Sequence, residues 1–84
     1  MAKYFILVTV FCKDGVTITE TSLFNDLTVA NIHYCESLKY YIETAPADLE
    51  IYDGHDSKRI NWFEVGEMNN NFWVRCELQG KDCL

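Results

Sequence analysis

The sequence is poor in most of the features that mark a catalytic or metal-binding small protein. No two of Cys12, Cys35, Cys76 and Cys83 lie within five residues of each other, which leaves no CxxC ligand pair for zinc. There is no Gly-rich oxyanion loop and no Ser nucleophile elbow. Basic residues are scarce, 7 against 13 acidic ones, and Lys58–Arg59 is the one adjacent basic pair. That balance disfavours direct contact with a nucleic-acid backbone or an anionic membrane, both of which need clustered Lys and Arg. Long hydrophobic runs are missing too. The nine residues Tyr4–Cys12 are too few to span a bilayer. They also lack a following small-residue cleavage site, and Phe11 ahead of Cys12 argues against a lipoprotein site. A cytoplasmic location with reduced cysteines is therefore the expectation.

What is present is enough apolar material for one core. Eighty-four residues, 49% hydrophobic, suit a single domain of two layers. No repeat, linker or low-complexity tract divides it.

The organising stretch is Asp26 to Thr44, DLTVANIHYCESLKYYIET. At 100° per residue, Leu27, Ala30, Tyr34, Leu38, Tyr41 and Ala45 share a stripe roughly 80° wide, and Glu36, Lys39 and Glu43 fall opposite with Val29 and Tyr40. Asp26 is placed to cap the first turn, and Pro46 biases Ala45 away from helical geometry. The period predicts one amphipathic helix.

Around it the pattern is period two. Tyr4 to Cys12 is apolar on both alternating faces, with Tyr4, Ile6, Val8 and Val10 against Phe5, Leu7 and Phe11. A strand of that kind is central in its sheet. Lys13-Asp14-Gly15 predicts a tight turn, and Val16 to Leu23 a hairpin partner with one wet face. After Pro46, Leu49 and Ile51 oppose Glu50 and Tyr52, and Asp53-Gly54-His55-Asp56 reads as a turn. Lys58 to Glu67 is read as a strand with Ile60 and Trp62 opposite Asn61, Phe63 and Val65, followed by a polar turn over 68–71. Phe72 to Leu78 sends Phe72, Val74, Cys76 and Leu78 inward and Trp73, Arg75 and Glu77 outward, and 79–84 reads as a frayed tail. The expected fold is α+β, one helix on a roughly five-stranded antiparallel sheet in the order ββαβββ.

Candidate chemistry is thin. Asp53, His55 and Asp56 place three oxygen or nitrogen ligands in four residues, but a turn of that composition needs no metal, and none is expected. His33 and Cys35 stand two apart on the helix, about 200° from each other, so they do not form a nucleophilic pair. Cys35 and Cys76 read as buried free thiols. Glu64 and Glu67, considered as paired carboxylates, read as a solvated strand face. No enzyme activity and no cofactor are expected.

Tyr52, Phe63 and Trp73 stand apart from this. Each comes from a different strand, and alternation points each away from the side bearing Leu49, Ile60 and Val74. Brought together they form an aromatic patch on the sheet face without the helix, either a cross-strand layer or a partner or dimer surface. An RNA-stacking role is opposed by the charge. The protein-binding surface assigned this way comprises Tyr52, Phe63 and Trp73 with the carboxylates Glu50, Glu64, Glu67 and Glu77. On this reading Trp73→Ala costs less stability than Val74→Ala.

The order of an N-terminal strand (KYFILVTV), a Thr-rich second strand (VTITET), one helix, then IYDG and a late aromatic strand (FWVRCE) resembles small single-domain phage or mobile-element proteins, including some anti-CRISPR inhibitors. The resemblance implies a viral protein in the host cytoplasm that binds an effector complex without catalysis. Where basic members of such folds use Lys and Arg, this chain is acidic, and the implied mode is mimicry of nucleic acid. The expected function is therefore a small acidic inhibitor of a host nucleic-acid-handling protein such as a CRISPR effector. The competing expectation is a self-associating structural or accessory domain, a homodimer joined by the open sheet face or an edge strand.

Overall fold

The structure, a computed structural model, describes residues 3–46, 49–55, 59–66 and 71–82. It contains β1 (Lys3–Lys13), β2 (Val16–Phe24), α1 (Leu27–Thr44), β3 (Ile51–Gly54), β4 (Asn61–Gly66) and β5 (Phe72–Asp82). The strands form one antiparallel sheet in the order β2-β1-β5-β4-β3, with α1 packed on one face. The expected ββαβββ arrangement is the one observed.

Each end of α1 is set by local chemistry. Asp26 has extended backbone, and its Oδ1 accepts from the Thr28 amide at 2.8 Å. Ala45, held extended by Pro46, donates its amide back to the Tyr41 carbonyl and stops the helix. Between these ends Ala30 and Tyr34 are buried, and Leu38, Tyr41 and Ala45 pack against the core. Leu27, assigned to the same stripe, is 38% exposed at the helix start.

The β1–β2 turn places Asp14 at φ 52° and Gly15 at φ 82°, the left-handed pair of a type I′ hairpin turn, whose twist matches that of the strands. β1 lies between β2 and β5, as its two apolar faces require. Phe5, Leu7, Thr9 and Phe11 turn toward α1, across from Gly80, Leu78, Cys76 and Val74 of β5. Val74, Cys76 and Leu78 are fully buried.

Asp53 and Gly54, expected in a turn, are the last residues of β3, paired with Phe63 and Trp62, and four further expectations change. β5 continues to Asp82, with Gln79, Gly80, Lys81 and Asp82 opposite Ile6, Phe5, Tyr4 and Lys3, so 79–82 belong to a central strand and only 83–84 lie outside the described residues. β2 is exposed from Val16 to Leu23 on both sides, because α1 lies chiefly over β5 and β1. Cys35 is exposed, and Cys76 is the buried thiol.

The fourth change concerns β4. Phe63 and Val65 are fully buried toward α1, while Trp62 and Glu64 take the other face, so this strand is inverted relative to expectation. Phe63 meets Tyr34 edge-on, ring centres 5.7 Å apart, and Val65 lies across from Val74. Ile60 still reaches the core, but from the bend before the strand, where its amide donates to the Leu78 carbonyl. Using Ile60 as the anchor of the alternation therefore shifted the whole strand by one residue.

Candidate functional site

The sheet face opposite α1 was the expected binding surface. Of its three aromatics, the structure leaves Tyr52 there and exposed, 48%, on the edge strand β3. Phe63 is in the core beneath α1. Trp73 is on the open face as expected but is only 6% exposed, and its indole Nε1 donates to Glu64 Oε2 at 2.8 Å. The three do not form one aromatic patch.

The carboxylates of that face are also engaged. Glu77 accepts from Arg59 Nη1 at 3.1 Å and from Arg75 Nη2 at 2.7 Å through one oxygen, and from Gln79 Nε2 at 3.0 Å through the other. The Arg59 guanidinium lies 4.7 Å from the centre of the Trp62 ring, a cation–π contact that fixes it over the sheet. Glu50 accepts from the Tyr52 hydroxyl. Glu67 lies outside the described residues. Register places Glu64 across from Arg75 and Trp62 across from Glu77, so the middle of this face is a closed, charge-balanced network. Its glutamates hold the protein's own donors.

A second surface lies beside α1. Tyr34, Cys35, Leu38, Asp53, Gly54, His55 and Asn61 line an open cleft of about 370 Å³ between the helix and the β3–β4 edge. Asn61 Nδ2 donates to Asn31 Oδ1 at 3.2 Å at this junction. The fold thus brings Asp53 and His55 to the side of the helix that carries Cys35, while Asp56 lies outside the described residues. Among the described residues no three His, Cys, Asp or Glu side chains are grouped to hold a metal. His33, about 200° around the helix from Cys35, packs tilted on Phe24, ring centres 4.9 Å apart. Burial raises the Tyr34 hydroxyl well above its ordinary range, with smaller contributions from Cys76, Asp53 and Cys35, and it stays protonated.

The third surface is the outer side of α1. Val29, Ile32 and Tyr40 are 42%, 53% and 59% exposed. At 100° per residue they share an arc of about 80° with Glu36 and Glu43, so three large apolar side chains and two carboxylates run in one line along the helix. Beside Ile32 a shallow groove is lined by Thr28, Asn31, Cys35 and Glu36. The helical period places Glu36, Lys39 and Glu43 on this side with Val29 and Tyr40, and assigns the side no function. The signal for a surface here is Ile32 beside Val29 and Tyr40, three large apolar side chains exposed in one line.

Among the described residues no helix is long and apolar enough to cross a membrane. No family model matches the chain, and no curated protein or solved structure matches it.

Proposed function

We propose that the protein is a non-enzymatic binding module that inhibits a nucleic-acid-handling protein, and that it docks through the outer side of α1. The observation that carries this reading is the line Val29, Ile32, Glu36, Tyr40 and Glu43: exposed apolar anchors interleaved with acid on one rigid helix. Aromatic and aliphatic anchors on a helix suit a groove in a protein, and flanking carboxylates select a groove rimmed by Lys and Arg. A surface that ordinarily receives phosphates has such a rim. The formal net charge of −6 acts in the same sense at longer range. The partner class follows the resemblance to phage and anti-CRISPR proteins, and the open sheet face, with its carboxylates already paired, is the weaker candidate for the contact.

The experiment is capture from a bacterial lysate with the native protein and with an Ile32→Ala/Tyr40→Ala double variant, at low and high salt. Both side chains are exposed and Tyr40 touches the fold through an edge-on contact with Tyr41, so the variant stays folded with a melting temperature only slightly lowered. The reading requires a nucleic-acid-handling protein that is retained at low salt, released by high salt and lost with the double variant. A captured partner that the double variant still holds moves the contact off α1, and capture of no such protein overturns the function.

A further inference from the structure

The two edges of the sheet are built differently. β3 is four residues long, whereas β2 is nine, with an unbroken register to β1 and neither proline nor lysine along it. Soluble proteins blunt a long edge with those devices, because its unpaired amides and carbonyls are a template for another strand. Val16, Ile18 and Leu23 on β2 are 61%, 55% and 68% exposed.

Which backbone groups are unpaired follows from one hydrogen bond. Asp14 donates its amide to the Asn71 carbonyl at 3.0 Å, one step beyond the Lys13–Phe72 pair of the β1–β5 register. Even-numbered residues of β1 therefore direct their amides and carbonyls to β5, and odd-numbered ones to β2. Lys13, Phe11 and Thr9 pair with Val16, Ile18 and Glu20, so even-numbered β2 residues bond inward. Thr17, Thr19, Thr21 and Leu23 turn theirs outward, and among the described residues no strand lies beyond β2.

We propose that this edge pairs with the same edge of a second copy, antiparallel about a two-fold axis normal to the sheet, giving one continuous ten-stranded sheet. Charge selects the register. Glu20 is the one charged residue of β2, and centring the axis on it sets two carboxylates directly opposite each other in the closer, non-hydrogen-bonded spacing. Moving the axis to Thr21 removes that apposition and pairs Ile18 with Phe24, Thr19 with Leu23 and Glu20 with Ser22 of the other copy. Centring on Thr19 instead sets Ile18 against Glu20 and leaves Leu23 unpaired. Thr21 is the centre that pairs both Ile18 and Leu23 within the seam, with Val16 beyond its end.

The axis keeps both helices on the same face, and the dimer presents two copies of the outer α1 line. This seam is independent of the function proposed above and responds oppositely to salt. Two chains of net charge −6 repel each other, so salt tightens the dimer while it weakens capture of a basic partner.

Sedimentation velocity over a wide concentration range tests the inference. The native protein should show a dimer, strengthened by salt. Thr21→Pro removes an amide hydrogen that points out of the sheet, so it should give a monomer with unchanged circular dichroism. Should that variant misfold, Ile18→Glu, at a side chain exposed in the single copy, serves the same purpose. A photo-crosslinking residue at position 18 should label the other copy near Phe24. A native protein that stays monomeric at every concentration, a dimer that survives Thr21→Pro or Ile18→Glu, or a crosslink to Glu20 would each overturn the arrangement.

Discussion

Trp73 donates its indole N–H to Glu64 at 2.8 Å on the sheet face that α1 leaves uncovered. A residue expected to be an accessible anchor is thus a buried structural one, the centre of a small second layer.

Trp73→Ala should therefore be among the most damaging single changes, about 3–5 kcal/mol by denaturant unfolding, and should exceed Val74→Ala at roughly 1–3 kcal/mol. This reverses the order expected from the sequence. Trp73→Phe keeps most of the bulk but takes the donor from Glu64, at a cost of about 1–3 kcal/mol. Equal melts for Trp73→Ala and the native protein would show that the ring is not buried.

Phe63→Ala should cost about 3–5 kcal/mol, since the ring is fully buried against Tyr34. Tyr52→Ala, at an exposed edge position, should stay within about 1 kcal/mol. With the alternation expected from the sequence Phe63 lies on the open face and its removal costs no more than that of Tyr52, so the pair of melts decides the facing of β4.

Burial pushes the Cys76 thiol from 9.0 up to about 11; the Thr9 hydroxyl, donating at 3.5 Å, pulls it back and Glu77 adds to the rise. Between those values the unfolded chain gives up the proton and the folded chain keeps it. The contribution is thus complete below about pH 9 and is lost toward pH 11, on the order of 2–3 kcal/mol. Tyr34 and Tyr41, both raised chiefly by burial from 10.0, steepen the loss at still higher pH. Melting temperature against pH should fall across this window, and Cys76→Ala should flatten its lower part. At neutral pH a thiol reagent should modify exposed Cys35 quickly and Cys76 only on unfolding.

Two glycines with positive φ should respond unequally to alanine. A Cβ on Gly15 meets nothing within 4 Å, and the cost is the left-handed backbone alone, about 1 kcal/mol. At Gly66, φ 76°, a Cβ runs into the carbonyl oxygen of Phe72 where β4 turns back toward β5. That substitution should exceed about 3 kcal/mol or prevent folding. Thermal melts of both variants separate the two cases.

The parts of this fold that were readable in the sequence are those with a local cause. Asp26 and Pro46 bound α1 by chemistry within a few residues, and the two apolar faces of β1 could be satisfied only in the middle of a sheet. β5 alternates between unlike classes, Val74 and Cys76 against Arg75 and Glu77, so its facing was plain. β4 carries Trp62 on one side and Phe63 on the other, and no count of apolar residues separates them. Only Tyr34 and Tyr41 above the sheet decide. On the open face, period two aligns Arg75, Glu77 and Gln79, but Arg59 reaches Glu77 from 18 residues away and Trp73 reaches Glu64 from a neighbouring strand, and no spacing announces those. The outer line of α1 was visible as a list of residues, but its exposure depends on what the sheet leaves uncovered.

The fifth strand in sequence order fills the middle of the sheet. β5 separates β1 from β4, and it supplies Val74, Cys76 and Leu78 to the centre of the core. Without residues 72–82 the β1–β2 hairpin and the short β3–β4 pair share no strand pairing and meet only under α1, where Tyr34 and Tyr41 touch Phe63. Closure of the sheet therefore needs contacts far apart in sequence, Lys3 with Asp82 at the extreme, and pairing at such separation is slow. Cutting the chain between β4 and β5 should accordingly leave a sheet with an empty slot, one that a separate 72–82 peptide can enter from solution and restore.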